Sequence, residues 1–115
     1  MIVSHINDLQ SIEIQGPDIL GASKKVLVSP IEGWESHVMR VFELVAGGHT
    51  PRHTHAWPHI NYITKGKGLL HLDGKDYEVS EGSYAYVPGG IIHQFSNPGD
   101  EPFAFMCIIP EEGDK

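Results

Sequence analysis

Four histidines, His49, His53, His55 and His59, fall within eleven residues of a 115-residue chain that carries eight in all. Neutral imidazole is a ligand for zinc, copper, iron and nickel and, more weakly, manganese, so the first chemistry to weigh is metal binding. His53 and His55 stand two apart, and residues two apart on a strand face one side, so their imidazoles converge on one point. His59 follows Ala56, Trp57 and Pro58. That proline interrupts strand pairing and lets the chain double back, aiming a third imidazole at the same point. His49 shares the odd parity of the pair but lies in a glycine-rich turn two residues before Pro51, which makes it a rim residue. His5, His37 and His71 stand alone and read as surface or hydrogen-bonded residues.

Such a cluster needs rigid elements to hold it. Glycine and proline together make 13 + 8 = 21 of the residues and are spread along the chain, punctuating short runs of strand-like content. These runs cover Lys24 to Ser29, Ser36 to Val45, His59 to Thr64, Gly68 to Leu72, Lys75 to Ser80, Ser83 to Val87, Ile91 to Ser96 and Phe103 to Ile109. Short strands broken by frequent turns predict an antiparallel sandwich or barrel. Asp73-Gly74 predicts a tight hairpin, because a type I′ turn needs two residues that tolerate positive φ. Ile6 to Ile14 reads as a short helical turn or an edge strand. Along Val38 to Leu44, one alternating set is Val38, Arg40, Phe42 and Leu44, and it is turned inward so that Glu43 stays wet. The alternative turns Arg40 out and leaves Glu43 to snorkel or pair. The last run is apolar on both faces, and alternation does not choose between them.

Composition narrows the partners. Fifteen acidic residues against eight Lys plus Arg give a formal net charge of -7. Such a chain lacks the basic surface that neutralises phosphates, so neither nucleic acid nor an anionic membrane is an expected partner. No apolar run approaches the ~20 residues of a membrane span, and Met1 to His5 lacks the layout of a signal peptide. The single Cys107 forms no internal disulfide, which agrees with a reducing compartment. The expectation is a cytoplasmic protein that forms one domain over residues 1–115, with its barrel core at about 38–110.

The spacing around the histidines resembles that of the cupin superfamily. Its first motif is a glycine, five residues, His-x-His, a short gap to a third ligand, and six residues to a glycine. Here Gly47, His53, His55, His59 and Gly66 stand at those positions. Its second motif is a glycine, five residues, Pro-x-Gly, two residues, a histidine, three residues and an asparagine, matched by Gly82, Pro88, Gly90, His93 and Asn97. The resemblance implies an all-β jelly-roll barrel with one divalent transition metal, manganese, iron, nickel, copper or zinc, held by His53, His55, His59 and His93. The third ligand in this superfamily is usually a glutamate. With His59 in its place the site resembles a four-histidine variant, and four neutral imidazoles would leave the metal's full positive charge in the pocket. The resemblance also implies a pocket wall of Arg40, Asn61, Phe95, Phe105, Cys107 and Ile109, and a homodimer that exchanges N-terminal strands from residues 1–37.

Fold does not choose a reaction. Arg40 facing a cationic metal makes sense chiefly when an anion lies between them, although pairing with a nearby acid explains it equally well. An isomerase or decarboxylase wants a positioned carboxylate or unliganded histidine as base. None is evident in the sequence, with Arg40 and Cys107 the catalytic candidates, so the leading expectation is dioxygenase-type redox chemistry on a small organic substrate. The alternatives are a binding protein without turnover and a metal-dependent isomerase or decarboxylase.

Overall fold

The computed structural model describes residues 1–114. Nine strands run in chain order: β1 (Ile12–Ile14), β2 (Leu20–Val28), β3 (His37–His49), β4 (His59–Lys65), β5 (Lys67–Leu72), β6 (Lys75–Ser80), β7 (Tyr84–Val87), β8 (His93–Ser96) and β9 (Phe103–Pro110). Single 3₁₀ turns cover Ile6–Asp8, Pro30–Glu32 and Glu111–Asp114. All pairings are antiparallel, in the order β6-β5-β8-β3-β9-β4-β7, with β2 on the other side of β3 and β1 outside β2. The result is the all-β jelly-roll barrel, nearly closed.

The long β3 makes closure work. Its first part, His37 to Leu44, pairs with β9, and its last residue, His49, pairs with Ser96 of β8. One strand thus serves two sheets, changing over around Gly47 and Gly48. The sequence reading placed these glycines in a turn; they remain within the strand and bend it. Asp73 (φ 50°) and Gly74 (φ 87°) adopt the two left-handed conformations of the expected type I′ hairpin between β5 and β6. The stretch Ile6 to Ile14 holds both of its expected alternatives, a 3₁₀ turn and then β1. β1 and β2 pair within their own chain, against β3.

Inside the barrel, Leu44, Ile63, Leu70, Phe95, Phe103 and Phe105 form the main apolar cluster, and Val38, Cys107 and Ile109 form a second. The alternation of β9 therefore turns Phe105, Cys107 and Ile109 inward. Asn97, 1% exposed, closes the loop after β8. Its amide donates to the carbonyls of Leu44 (3.0 Å) and Glu101 (2.7 Å), and its Oδ1 accepts from the amide of Gly99 at 3.1 Å. Removing that side chain strands two carbonyls, at least one deeply buried, and each unsatisfied group costs about 1–3 kcal/mol. Asn97→Ala is expected to lower the unfolding free energy by about 2–4 kcal/mol in urea titration, with an unchanged slope on denaturant.

Candidate metal centre

His53 and His55 are not on a regular strand. Pro51 and Pro58 bracket them, and prolines supply no amide to a ladder, so the stretch between β3 and β4 is a loop fastened at one bridge. There the amide of His53 donates to the carbonyl of His93 (3.1 Å), and the amide of His93 donates back at 2.9 Å. The loop is fastened again at its far side. The amide of Gly90 (φ 84°) donates to the carbonyl of His55 at 2.8 Å, and a Cβ on Gly89 would collide with the carbonyl of Ala56. The Pro88-Gly89-Gly90 turn is thus pressed against the histidine loop, and only a residue without a side chain fits at Gly89. His59 starts β4 and His93 starts β8.

The four rings meet. Ring centroids are 5.2 Å apart for His53 and His55, 4.8 Å for His53 and His93, 4.8 Å for His55 and His93, and 4.8 Å for His59 and His93. Ligand atoms of His53, His55 and His93 all lie within 4.8 Å of one another, the spread of donors around one ion. His59 joins through His93, its Nε2 lying 3.3 Å from the Nε2 of that ring.

The hydrogen bonds behind the rings decide what those nitrogens present. Nδ1 of His93 is 2.9 Å from the carbonyl of Ile91, which only accepts, so Nδ1 carries the proton. Nδ1 of His59 is 2.6 Å from Oδ1 of Asn61, whose amide nitrogen in turn donates to the carbonyl of Met106 at 3.3 Å. The orientation of Asn61 makes Nδ1 of His59 the donor as well. Both rings therefore turn bare Nε2 lone pairs toward each other at 3.3 Å, a distance at which no hydrogen bond forms between two acceptors. The buried Nδ1 of His55 has no partner among the described residues. A cation among the rings would satisfy the facing Nε2 atoms of His59 and His93, and the donor set fits a divalent transition metal.

Electrostatics keeps the rings ready. Burial, reinforced by the charge of His93, lowers His59 to about 4, while burial as the leading cause also lowers His53 and His93. Neutral imidazole is the ligand form.

A cavity of about 310 Å³ adjoins the cluster. Arg40, Asn61, Phe95, Phe105 and Cys107 line it. Ile109 is not among its lining residues. It faces the same side but packs against Val38, Cys107 and the Gly113 backbone, outside the cavity lining. Burial pushes the Cys107 thiol above its ordinary range, outweighing the pull of Arg40, so it lacks the thiolate character of a nucleophile. Arg40 is paired with Asp114 at 2.8 Å, the ion-pair alternative of the sequence reading. Asp114, Lys24, Ile14 and Ile19 also line the cavity and had no sequence signature. Asp114 ends the acidic stretch Glu111, Glu112, Gly113, Asp114, which reads as a solvated tail, and Ile14 and Ile19 belong to segments assigned to dimer contacts. The lone histidines have local duties: His5 caps a turn through Asn7, His37 stacks on Trp34, and His71 pairs with Asp76. His49 hydrogen-bonds at the rim, to the carbonyl of Thr50.

A jelly roll with histidines gathered at its mouth defines a cupin. The cupin domain family matches residues 40–109, more than half of the chain, and the chain belongs to it. Among solved structures, the polyketide cyclase RemF from Streptomyces resistomycificus superposes with a TM-score of 0.91 at 26% identity, covering 96% of this chain and 80% of that one. A cupin-2 domain protein from Rhodospirillum rubrum superposes at 0.79 with 27% identity, covering 90% and 68%. In sequence, the 1-methylthio-D-xylulose 5-phosphate methylsulfurylase of Rhodospirillum rubrum is 34% identical over 77 residues, 67% of this chain and 49% of that protein. The chain spans about half or less of the length of the curated relatives it matches.

Two outcomes follow from the ring supports. Asn61→Leu frees the tautomer of His59, and metal affinity measured by chelator competition is expected to fall about 10- to 100-fold. In the metal-free protein, His59 stays neutral below the pH at which an unfolded histidine protonates. Stability is therefore full above pH 6.5 and is lost as pH falls toward 4, by about 3 kcal/mol from this residue. Chemical denaturation across that range in the presence of EDTA measures it.

Proposed function

We propose that this cupin is a metal-dependent enzyme holding one divalent transition metal on His53, His55, His59 and His93 and acting on a small organic molecule in the adjoining cavity. The observation that carries this reading is the pair of bare Nε2 atoms of His59 and His93 at 3.3 Å, an arrangement that a shared cation relieves. Those four histidines would hold the metal, which would supply a Lewis acid.

The chain's own groups do the rest. Phe42, Phe95 and Phe105 stack as one aromatic wall, with centroids 3.9 Å apart for Phe95 and Phe105 and 5.4 Å for Phe42 and Phe105. That wall suits a planar apolar body and excludes water from one side of the cluster. Asn61 keeps the proton of His59 on Nδ1, and the Ile91 carbonyl keeps that of His93. The likeness to a polyketide cyclase over nearly the whole chain supports a ring-closing reaction of a carbonyl compound.

A second reading is the dioxygenase-type oxidation. It is favoured by the lack of a free base among the described residues of the cavity: the imidazoles belong to the cluster, Asp114 is tied to Arg40 and Lys24, and Cys107 is held as the thiol. An oxygen electrode separates the two. Ring closure of polyketide-like diketones proceeds without O2 uptake, whereas oxidation of aromatic diols consumes O2 with turnover. Lack of turnover on either class by the iron- or manganese-loaded protein would favour a binding protein.

His53→Ala and His93→Ala are expected to abolish stoichiometric metal by elemental analysis, with His37→Ala and His71→Ala unchanged. His59→Ala tests the fourth ligand: a loss equal to that of His53→Ala supports four histidines, and full retention supports three.

We also propose a cytoplasmic homodimer. The sheet face carrying Ile60, Tyr62, Tyr84 and Tyr86 is exposed, with Tyr84 at 81%, and its residues pair across strands, Ile60 with Tyr86 and Tyr62 with Tyr84. This apolar face favours sheet-to-sheet pairing over the exchange of N-terminal strands. A monomer by light scattering at micromolar concentration would exclude it.

A further inference from the structure

Arg40 enters the cavity from β3 with its side chain only 13% exposed, and its cation has unusual company. Nη1 donates to Oδ1 of Asp114 at 2.8 Å, and Lys24 Nζ reaches the same oxygen at 3.5 Å. Among the described residues, Nη2 has only the Cys107 sulfur at 3.8 Å, and the buried Nε has no partner. The guanidinium also lies 4.7 Å from the centre of the Phe42 ring, at the start of the aromatic wall. A guanidinium fork is built to hold a carboxylate with two parallel hydrogen bonds, yet here one arm of the fork does the work and Nε goes unused. Asp114 comes from 74 residues away, on a four-residue turn after β9. It brings a single negative charge to two cations, so among the described residues the cavity lining carries one net positive charge.

We propose that Arg40, assisted by Lys24, is the recognition site for the carboxylate of a small aromatic acid, and that Asp114 occupies that carboxylate's place until the ligand displaces it. An incoming carboxylate takes the place of Asp114 on Nη1, within reach of Lys24 Nζ, while its aromatic body lies along Phe42, Phe95 and Phe105. The far end then points at the histidine cluster. For what happens at that end the inference rests on the functional reading above; the anion site itself stands on Arg40 and Lys24. The chosen class is a carboxylate because a carboxylate is the group now paired with Arg40.

Calorimetric titration with benzoate tests this on metal-free and metal-loaded protein, with phenyl phosphate and benzamide as companion probes. Benzoate is expected to bind both forms and benzamide at least tenfold more weakly. Asp114→Asn, which removes the internal competitor, is expected to tighten benzoate at least fivefold. Arg40→Gln is expected to weaken it at least tenfold and Lys24→Gln two- to fivefold, in variants whose circular dichroism matches the parent. An Asp114→Asn protein that binds no tighter, or an Arg40→Gln protein that binds as the parent does, overturns the proposal. Arg40-dependent binding of phenyl phosphate in preference to benzoate overturns the choice of carboxylate. The two readings fail separately. Arg40-dependent benzoate binding in a protein that takes up no metal keeps the anion site and removes the metal enzyme. Benzoate binding that requires metal and ignores Arg40 does the reverse.

Discussion

Neutral imidazoles do not gather willingly with their lone pairs facing, and at 3.3 Å the Nε2 atoms of His59 and His93 repel unless something positive lies among the rings. Holding them there takes rigid support from several directions. The Ile91 carbonyl grips one ring from behind and Asn61 the other, and Asn61 is itself gripped by the Met106 carbonyl of β9. The loop bearing His53 and His55 is held by the backbone bridge to His93 and by the Gly90 amide. Strands β4, β8 and β9 and two loops thus converge on one small volume. A barrel can do this because its strands are cross-linked into a closed surface, so each group is positioned by neighbours on both sides.

The same convergence explains which features were legible in the sequence. Strand positions follow from alternation and turn chemistry, and Asp73-Gly74 declares its hairpin through its own backbone needs. The spacing of His53, His55, His59 and His93 is legible because each stands at a fixed distance from a glycine or proline that shapes the local chain. Gly90 is the clearest case: its φ of 84° is a left-handed conformation that favours glycine, which is the physical content of that motif position. Asn97 is another, since its amide joins the end of β8 to Leu44 of β3.

Other features were hidden for equally physical reasons. The apolar alternation of β9 is the same on both faces, because the outer face also packs, and only the three-dimensional register to β3 and β4 turns Phe105 and Cys107 inward. The resemblance set Ile109 in the pocket wall with Phe105 and Cys107, and no local pattern reveals the backbone around Gly113 that packs on it. Asp114 was hidden most completely. A carboxylate in an acidic stretch has every reason to be solvated, and its contact with Arg40 spans 74 residues, beyond any local pattern.

That contact changes how the charge of the molecule is understood. The chain carries a formal -7, which would ordinarily discourage anionic ligands. Long-range charge is screened in salt over about 8–10 Å, whereas groups within a cavity act on a ligand at contact distance and in a lower dielectric. Within the cavity the count among the described residues is local: Arg40 and Lys24 against Asp114, beside His59 and His93, whose burial favours the neutral ring. A divalent ion on the histidines would add two further positive charges and bring the whole chain to -7 + 2 = -5. The acidic exterior and the cationic pocket are therefore compatible. The exterior sets solubility and non-specific attraction, and the pocket sets which small molecule stays.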